Sequence, residues 1–305
     1  MILYVLGDLF QSPAQVLVNT VNTVGVMGKG IALEFKRLYP DMFDEYRRRC
    51  ETGALKVGNP FLYKSNNKWV LNFPTKRHWR GKSKVEYIEK GLAAFAKRYA
   101  RWGIGSIAFP PLGCGNGGLD FAMQVQPIMH KYLAEMALDV FIYPEEHADA
   151  LAKCEQLVPL GETGEKIRDL SFEEIWNRHL LRDVEYKERD SKMVHDPFVS
   201  VPSKSRDVLM IRSKRNRDMM LNMRDIHHIW KALLDHGYWI LPEAGAIDAS
   251  SIPYIVSLLT QFSDVEPMLI SRRYEDLSSP KVGLQLSPVA DAEVGPTQLR
   301  MPLDI

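Results

Sequence analysis

The sequence predicts an α/β protein: a layered domain with helices covering a sheet over residues 1–152, then a smaller α+β unit over 207–290. Three observations predict it. Short, β-branched apolar runs alternate with segments of helical period through the first half, the pattern of strands interleaved with covering helices. That alternation weakens from 153 to 206, where a connector is expected. Periodicity then resumes in a different order, helix, helix and hairpin, before a tail over 291–305 that reads as flexible.

In chain order, Ile2–Leu6, Gln15–Asn19, Trp69–Phe73, Ser106–Phe109 and Val140–Tyr143 are the predicted strands of the first domain. After Gly30, the residues Ile31, Phe35 and Leu38 fall on one helical face. From Ser83, the series Ile88, Leu92, Phe95 and Tyr99 repeats that spacing. Ser83 with Glu86 reads as a capping box, and Gly103 follows the last turn. Asp120 is the expected N-cap of a third helix, with Val125, Met129, Tyr132 and Met136 as its apolar stripe.

In the second half, Ser171–Leu181 reads as a short helix and Lys187–Lys204 as a polar stretch punctuated by Pro197 and Pro202. Val208–Ile211 resembles a strand. Met219–His236 reads as a helix with Met223, Ile226, Ile229, Trp230 and Leu233 inward. Ser251–Phe262 is a further helix, and Pro267–Arg273 with Val282–Leu286 could form a hairpin, an order compatible with a winged-helix unit.

Composition narrows the function classes. The chain has 305 residues, 46% hydrophobic and 25% charged, which suits one or two globular domains and excludes collagen-like or wholly disordered chains. Net charge is only +1 but unevenly distributed. Residues 1–150 hold 19 Lys+Arg against 14 Asp+Glu, leaving 20 against 24 for the rest. Cys50, Cys114 and Cys154 are far apart and in no metal-ligand spacing, as expected of free thiols in a reducing compartment. The opening MILYVLGDLF does not read as a secretory signal, and no apolar run reaches the ~18–20 residues that span a bilayer. A cytoplasmic protein without membrane contact is expected.

Chemistry concentrates in four loops, each following a predicted strand: Gly7–Phe10, Asn19–Gly30, Asn72–Arg77 and Pro110–Gly118. Glycines let a backbone approach a ligand closely, and a glycine loop running into a helix offers free N–H groups to a phosphate. Two such loops suit a diphosphate; either one alone could be a tight turn. Neither is a P-loop. Gly113, Gly115 and Gly118 fit G-x-G-x-x-G, but no acidic residue follows at the dinucleotide offset, which disfavours hydride transfer. No metal-binding His/Cys cluster or serine nucleophile elbow is present in the sequence.

The runs LGDLF, VNTVNTVGVMGKGIALEFKRLYP, NFPTKRHWRGKS and PPLGCGNGGLDF resemble a macrodomain. More narrowly they are similar to its DarG antitoxin and terminal ADP-ribose protein glycohydrolase-like branch. The resemblance covers residues 1 to about 150 and not the second half. It implies a three-layer α/β/α fold with a mixed sheet, ADP-ribose as ligand and product, and no cofactor or metal. It implies that Asp8 and Leu9 hold adenine, that Thr20, Val21 and Asn22 line the distal ribose, and that two loops clasp the diphosphate. Those loops are Gly28, Lys29, Gly30 and Ile31, and Gly113, Cys114, Gly115, Asn116 and Gly117. Lys76 matches the branch's catalytic lysine, with Thr75 beside it. The aspartate that assists this lysine in relatives falls at Gly117, and the nearest carboxylate is Asp120, which also suits the N-cap.

The residues support Lys76 independently. A lysine is a nucleophile or proton carrier near neutrality only if desolvation or neighbouring cations lower its pKa. Lys76, Arg77, Arg80, Lys82 and Lys84 stand together with no acidic residue among them. The last four, with Trp79, are candidate DNA contacts, cations for phosphates and an aromatic for a base. A solvated basic face, with Trp79 packed on the sheet, is the bland alternative.

The function so indicated is a DNA ADP-ribosyl glycohydrolase, an N-glycosidic hydrolase acting on modified bases such as thymidine. It would be the antitoxin to a DNA ADP-ribosyltransferase, with ADP-ribosylated DNA and that toxin as partners. The alternatives are a non-catalytic ADP-ribose reader coupled to the second domain, or a hydrolase or deacylase of protein-linked or acylated ADP-ribose. The second domain could contact DNA through the basic stretch Lys204–Arg217. It could instead contact a protein through Trp230, Tyr238 and Trp239.

Overall fold

The computed structural model describes residues 1–144, 163–182, 184–186, 198–213, 218–240 and 247–288. The chain divides into two compact units between Glu146 and His147, the second running to Pro288. The expected tail at 291–305, Cys154, most of the polar stretch 187–204 and residues 214–217 of the basic stretch lie outside the described residues.

The first unit contains six strands: β1 (Ile2–Leu6), β2 (Val16–Val21), β3 (Phe61–Tyr63), β4 (Trp69–Pro74), β5 (Ser106–Phe109) and β6 (Asp139–Ile142). They lie in the order β1-β6-β5-β2-β4-β3. The first five of that order run parallel, and only β3 is antiparallel, against β4. This is the mixed sheet that the resemblance implies. Its strands are apolar almost throughout because both faces are covered, as parallel sheets require.

Helices α1 (Ile31–Leu38) and α2 (Pro40–Glu51) link β2 to β3, and α3 (Val85–Ala96) with the short α4 (Tyr99–Trp102) links β4 to β5. Helix α5 (Gln126–Leu133), preceded by a wide turn over Phe121–Val125, links β5 to β6. The chain leaves β2 toward β4 but leaves β5 toward β6, in opposite directions across the sheet. Right-handed crossovers therefore place α1–α2 and α3–α5 on opposite faces. The crevice at the carboxyl ends of β2 and β5 is the topological switch point where open α/β sheets bind ligands.

Several local expectations are corrected. Ser83 makes no capping box: α3 starts at Val85, Lys84 is its N-cap, and the Ser83 hydroxyl is buried without a hydrogen-bond partner. The helix expected to run to Gly103 breaks at Lys97–Arg98, and Gly103, at φ 75°, ends α4. In α1 Phe35 is buried but Leu38 is exposed, and in α5 Leu133 rather than Tyr132 or Met136 completes the stripe of Val125 and Met129. The short β3 had no alternating run long enough to announce it.

The second unit holds helices α6 (Phe172–Glu174, continuing through Leu180), α7 (Met223–His236) and α8 (Ile252–Leu259). Strands β7 (Val184–Tyr186), β8 (Phe198–Pro202), β9 (Val208–Ser213) and β10 (Met219–Asn222) form an antiparallel sheet in the order β10-β9-β8-β7. Strands β11 (Tyr238–Trp239), β12 (Val265–Ser271) and β13 (Lys281–Leu286) form the expected hairpin with one added strand. Met219–Asn222, expected as helix, is strand, and Met223 is exposed rather than inward.

Residues 163–182 and 198–206 are more ordered than the loose connector expected there. Ile167, Ile175, Trp176, Leu180 and Phe198 share one apolar cluster with Ile226, Ile229, Leu233 and Leu258. Asp264, buried, accepts hydrogen bonds from Ile167 N at 2.6 Å and Arg168 Nε at 2.6 Å and so pins this segment. A true capping box does occur here, at Ser171 and Glu174. Tyr238 and Trp239 are buried in place of forming a protein-binding surface, and the Trp230 indole N–H is buried too. No helix among the described residues is long and apolar enough to cross a membrane.

Candidate active site

Parallel strands bring all four candidate loops to one edge of the sheet. Hydrogen bonds then tie three of them together. Thr75 N donates to Val21 O at 2.9 Å, so the end of β4 follows β2 to its last residue. Thr23 donates twice to Arg77 O, from N at 3.1 Å and from Oγ1 at 2.9 Å. Ser83 N donates to Gly117 O at 2.9 Å, and Lys76 Nζ donates to Asn116 O at 3.0 Å. The lysine is thereby held between the loop after β2 and the loop after β5.

The two glycine loops also face each other directly. Gly30, at φ 60°, starts α1, and a Cβ there would stand 3.3 Å from Asn116 Nδ2. The free N–H groups of the first turn of α1 thus open beside the 113–118 loop, the arrangement that receives a phosphate. Gly28, Lys29, Gly115 and Asn116 are exposed at this edge, whereas Gly113, Cys114 and Gly117 are buried beneath it. Gly117 is required by packing: a Cβ there would overlap the Ser83 hydroxyl.

Lys76 is half-buried, and burial lowers its pKa from the ordinary lysine value. The cause is lost hydration. The expected repulsion from neighbouring cations does not contribute, because Arg77, Arg80, Lys82 and Lys84 are all exposed and charge-screened by water. The bond to Asn116 O can be donated by the neutral amine as well as by the ammonium, so the geometry survives deprotonation.

Asn22, expected at a ribose, is tied into its own loop. Its side chain organises its own loop: Nδ2 donates to Val26 O at 2.6 Å, and Oδ1 accepts from Val24 N at 3.0 Å. Tyr46 of α2 donates to Asn22 O and Oδ1, both at 3.1 Å. Burial raises the Tyr46 phenol, which keeps it a donor. Tyr46 was not singled out from sequence; its only signal is the i, i+4 spacing of Met42, Tyr46 and Cys50.

The remaining expected residues divide. Asp8 is exposed at the mouth, with one carboxylate oxygen accepting from Phe10 N at 3.0 Å, and Leu9 is buried behind it. Thr20 is partly buried, Val21 and Thr75 are buried, and Ile31 is partly exposed at the start of α1. Asp120 caps the turn before α5, accepting from Met123 N at 2.7 Å, as expected of an N-cap. Trp79 is 46% exposed and so is not packed on the sheet. Cys50 is partly buried and Cys114 buried, and among the described residues no group of three His, Cys, Asp or Glu could hold a metal.

Comparisons with known proteins match the unit that carries this edge. Residues 18–128 match the Macro domain family. The chain is 43% identical over 165 residues to the DNA ADP-ribosyl glycohydrolase of Thermus aquaticus, covering 52% of this chain and 45% of that protein. It is 40% identical over 156 residues to a DNA ADP-ribosyl transferase-DNA ADP-ribosyl glycohydrolase fusion protein of Thermosipho africanus, covering 45% and 40% respectively. The solved macrodomain of Mycobacterium tuberculosis DarG is 45% identical, with a TM-score of 0.46, over 48% of this chain and 99% of that one. The chain thus spans less than half the length of these two curated relatives.

Proposed function

We propose that this chain, whose N-terminal unit belongs to the macro domain family, is a DNA ADP-ribosyl glycohydrolase that removes ADP-ribose from a modified base, with thymidine the first to test. Its biological role in this reading is antitoxin to a DNA ADP-ribosyltransferase, in the cytoplasm. Support comes from the named functions of relatives at 43% and 40% identity, one of them fused to such a transferase. The observation that carries the reading is Lys76: a half-buried amine held by Asn116 O between two glycine loops suited to a diphosphate.

In this reading the diphosphate lies between Gly28–Ile31 and Gly113–Gly117, with adenine toward Asp8 and Leu9. The distal ribose then meets the loop that Asn22 and Tyr46 shape, which brings its anomeric carbon toward Lys76. The neutral Nζ attacks that carbon, the bond to the base breaks, and the resulting ribosylamine gives up a proton and opens to an imine on the lysine. The base leaves with the bonding electron pair and takes up a proton, and water then releases ADP-ribose from the lysine.

The test is release of free ADP-ribose from a DNA oligonucleotide carrying ADP-ribosylated thymidine, beside ADP-ribosylated protein and an acylated ADP-ribose. Turnover of the oligonucleotide in preference to the others is expected. Turnover of protein or acyl substrates alone would transfer the activity to the neighbouring hydrolase class. Tight ADP-ribose binding without turnover of any would make the chain a reader. Borohydride reduction during turnover should trap a covalent adduct on Lys76; turnover with no adduct would limit the lysine to proton transfer.

A further inference from the structure

We propose that Trp79 is a stacking platform for an unpaired nucleobase flanking the modified one, and so sets the preference for a strand over a nucleoside. This rests on the DNA-directed reading of the site and adds a specificity-determining residue to it. Trp79 is the one exposed tryptophan among the described large hydrophobic side chains that are exposed, at 46%. A tryptophan left that open needs a reason, since burial is worth more for it than for any other side chain.

The loop that carries the ring is built and anchored. Its start is fixed by the two Thr23 bonds to Arg77 O, and its end by Ser83 N on Gly117 O. Between them His78 O accepts from Gly81 N at 2.9 Å, and His78 Nδ1 accepts from Arg80 N at 3.2 Å. His78 stacks with Trp79, ring centroids 5.3 Å apart and 29° between planes, which orients the indole. An oriented, exposed indole is what a base needs and what a mobile surface side chain lacks.

The surroundings select nucleic acid over protein. Residues 76–84 contain five Lys or Arg and no acidic residue. Arg80 lies over the indole at 4.4 Å from its centroid. An exposed cation–π contact is weaker than base–aromatic stacking, so a base displaces the guanidinium and leaves it beside the strand's phosphates. Trp79 follows Lys76 by three residues, so their Cα atoms are at most about 10 Å apart, within reach of a base adjacent to the one being released. A paired base in a duplex presents no free face to an indole, which is why the platform takes an unpaired one.

The experiment compares the full chain with Trp79→Ala and Trp79→Phe on three ligands. These are a single-stranded oligonucleotide with one ADP-ribosylated thymidine, the ADP-ribosylated thymidine nucleoside, and the unmodified oligonucleotide read by fluorescence anisotropy. Loss of stacking should raise KM for the oligonucleotide about tenfold in Trp79→Ala, with kcat little changed and Trp79→Phe intermediate. The rise should exceed that on the nucleoside by about the same factor, and unmodified strand should bind correspondingly more weakly. Equal losses on nucleoside and oligonucleotide would overturn the proposal and make Trp79 a support for the Lys76 loop. Unchanged strand binding in Trp79→Ala would also overturn it and leave a protein as the occupant. If wild type turned over no DNA substrate, the glycohydrolase reading would fall, while the unmodified strand would still test the platform.

Discussion

At the scale of single residues, one amine carries the account. Lys76 loses hydration on folding, which disfavours its charged form and lowers its pKa. The reactive form is the neutral amine, so kcat should rise with pH through that lowered value. The midpoint of the rise should lie below the ordinary lysine value of about 10.4, measured from pH–rate profiles at saturating substrate. A midpoint at or above that value would remove desolvation from the explanation. Lys76 was legible in the sequence because the branch's motif and its basic neighbours both mark it, and of the two causes open there, desolvation and neighbouring cations, the structure supplies the first. Charge density can be counted along a chain; whether those charges face water or each other is decided only by the fold. Tyr46 and Ser83 were illegible as site residues for the same reason, since each acts on a loop distant in sequence.

At the scale of elements, the site is three loops held at the ends of parallel strands, and its accuracy depends on how closely they pack. Gly117→Ala places a methyl against the Ser83 hydroxyl. Overpacking of this kind costs about 1–3 kcal/mol. Displacing Asn116 by about 1 Å should lower kcat about a hundredfold, because it moves the carbonyl that holds Lys76. Steady-state kinetics should show that fall, with recovery in the Gly117→Ala/Ser83→Gly double variant. Failure of the double variant to recover would mean that Gly117 is needed for something other than space. Most strands and helices were legible from period and β-branching, and their errors are local. Ser83 with Glu86 has the spacing of a capping box, but its hydroxymethyl is enclosed by the glycine loop, and α3 begins two residues later. Met219–Asn222 carries apolar residues compatible with either period, and pairing with β9 decides for strand.

At the scale of the whole molecule, the near-zero net charge conceals an excess of Lys and Arg in residues 1–150, 19 against 14 acidic residues. Arg77, Arg80, Lys82 and Lys84 place part of that excess on one exposed strip beside the site. If they meet phosphates, log affinity for single-stranded DNA should fall with log salt at a slope of about −0.7 per contact, roughly −3 for four. Replacing two of them with Ala should cut the slope about in half, read from anisotropy titrations across salt concentrations; an unchanged slope would return the strip to a solvated face. The division into two units was visible in the sequence as a change in element order. The cohesion of residues 163–182 with the second unit was not, because Trp176 and Ile167 reach its core from a stretch with little periodicity.

The central claim is that Lys76 performs the chemistry while the glycine loops bind the ligand. Its most direct test pairs single-turnover cleavage of the ADP-ribosylated oligonucleotide with calorimetric ADP-ribose binding, for wild type and Lys76→Ala. The account predicts that the variant binds ADP-ribose within a few-fold of wild type, as expected when only a group acting in the transition state is removed, and cleaves about a thousandfold more slowly or not at all. Cleavage by Lys76→Ala at the wild-type rate would contradict it.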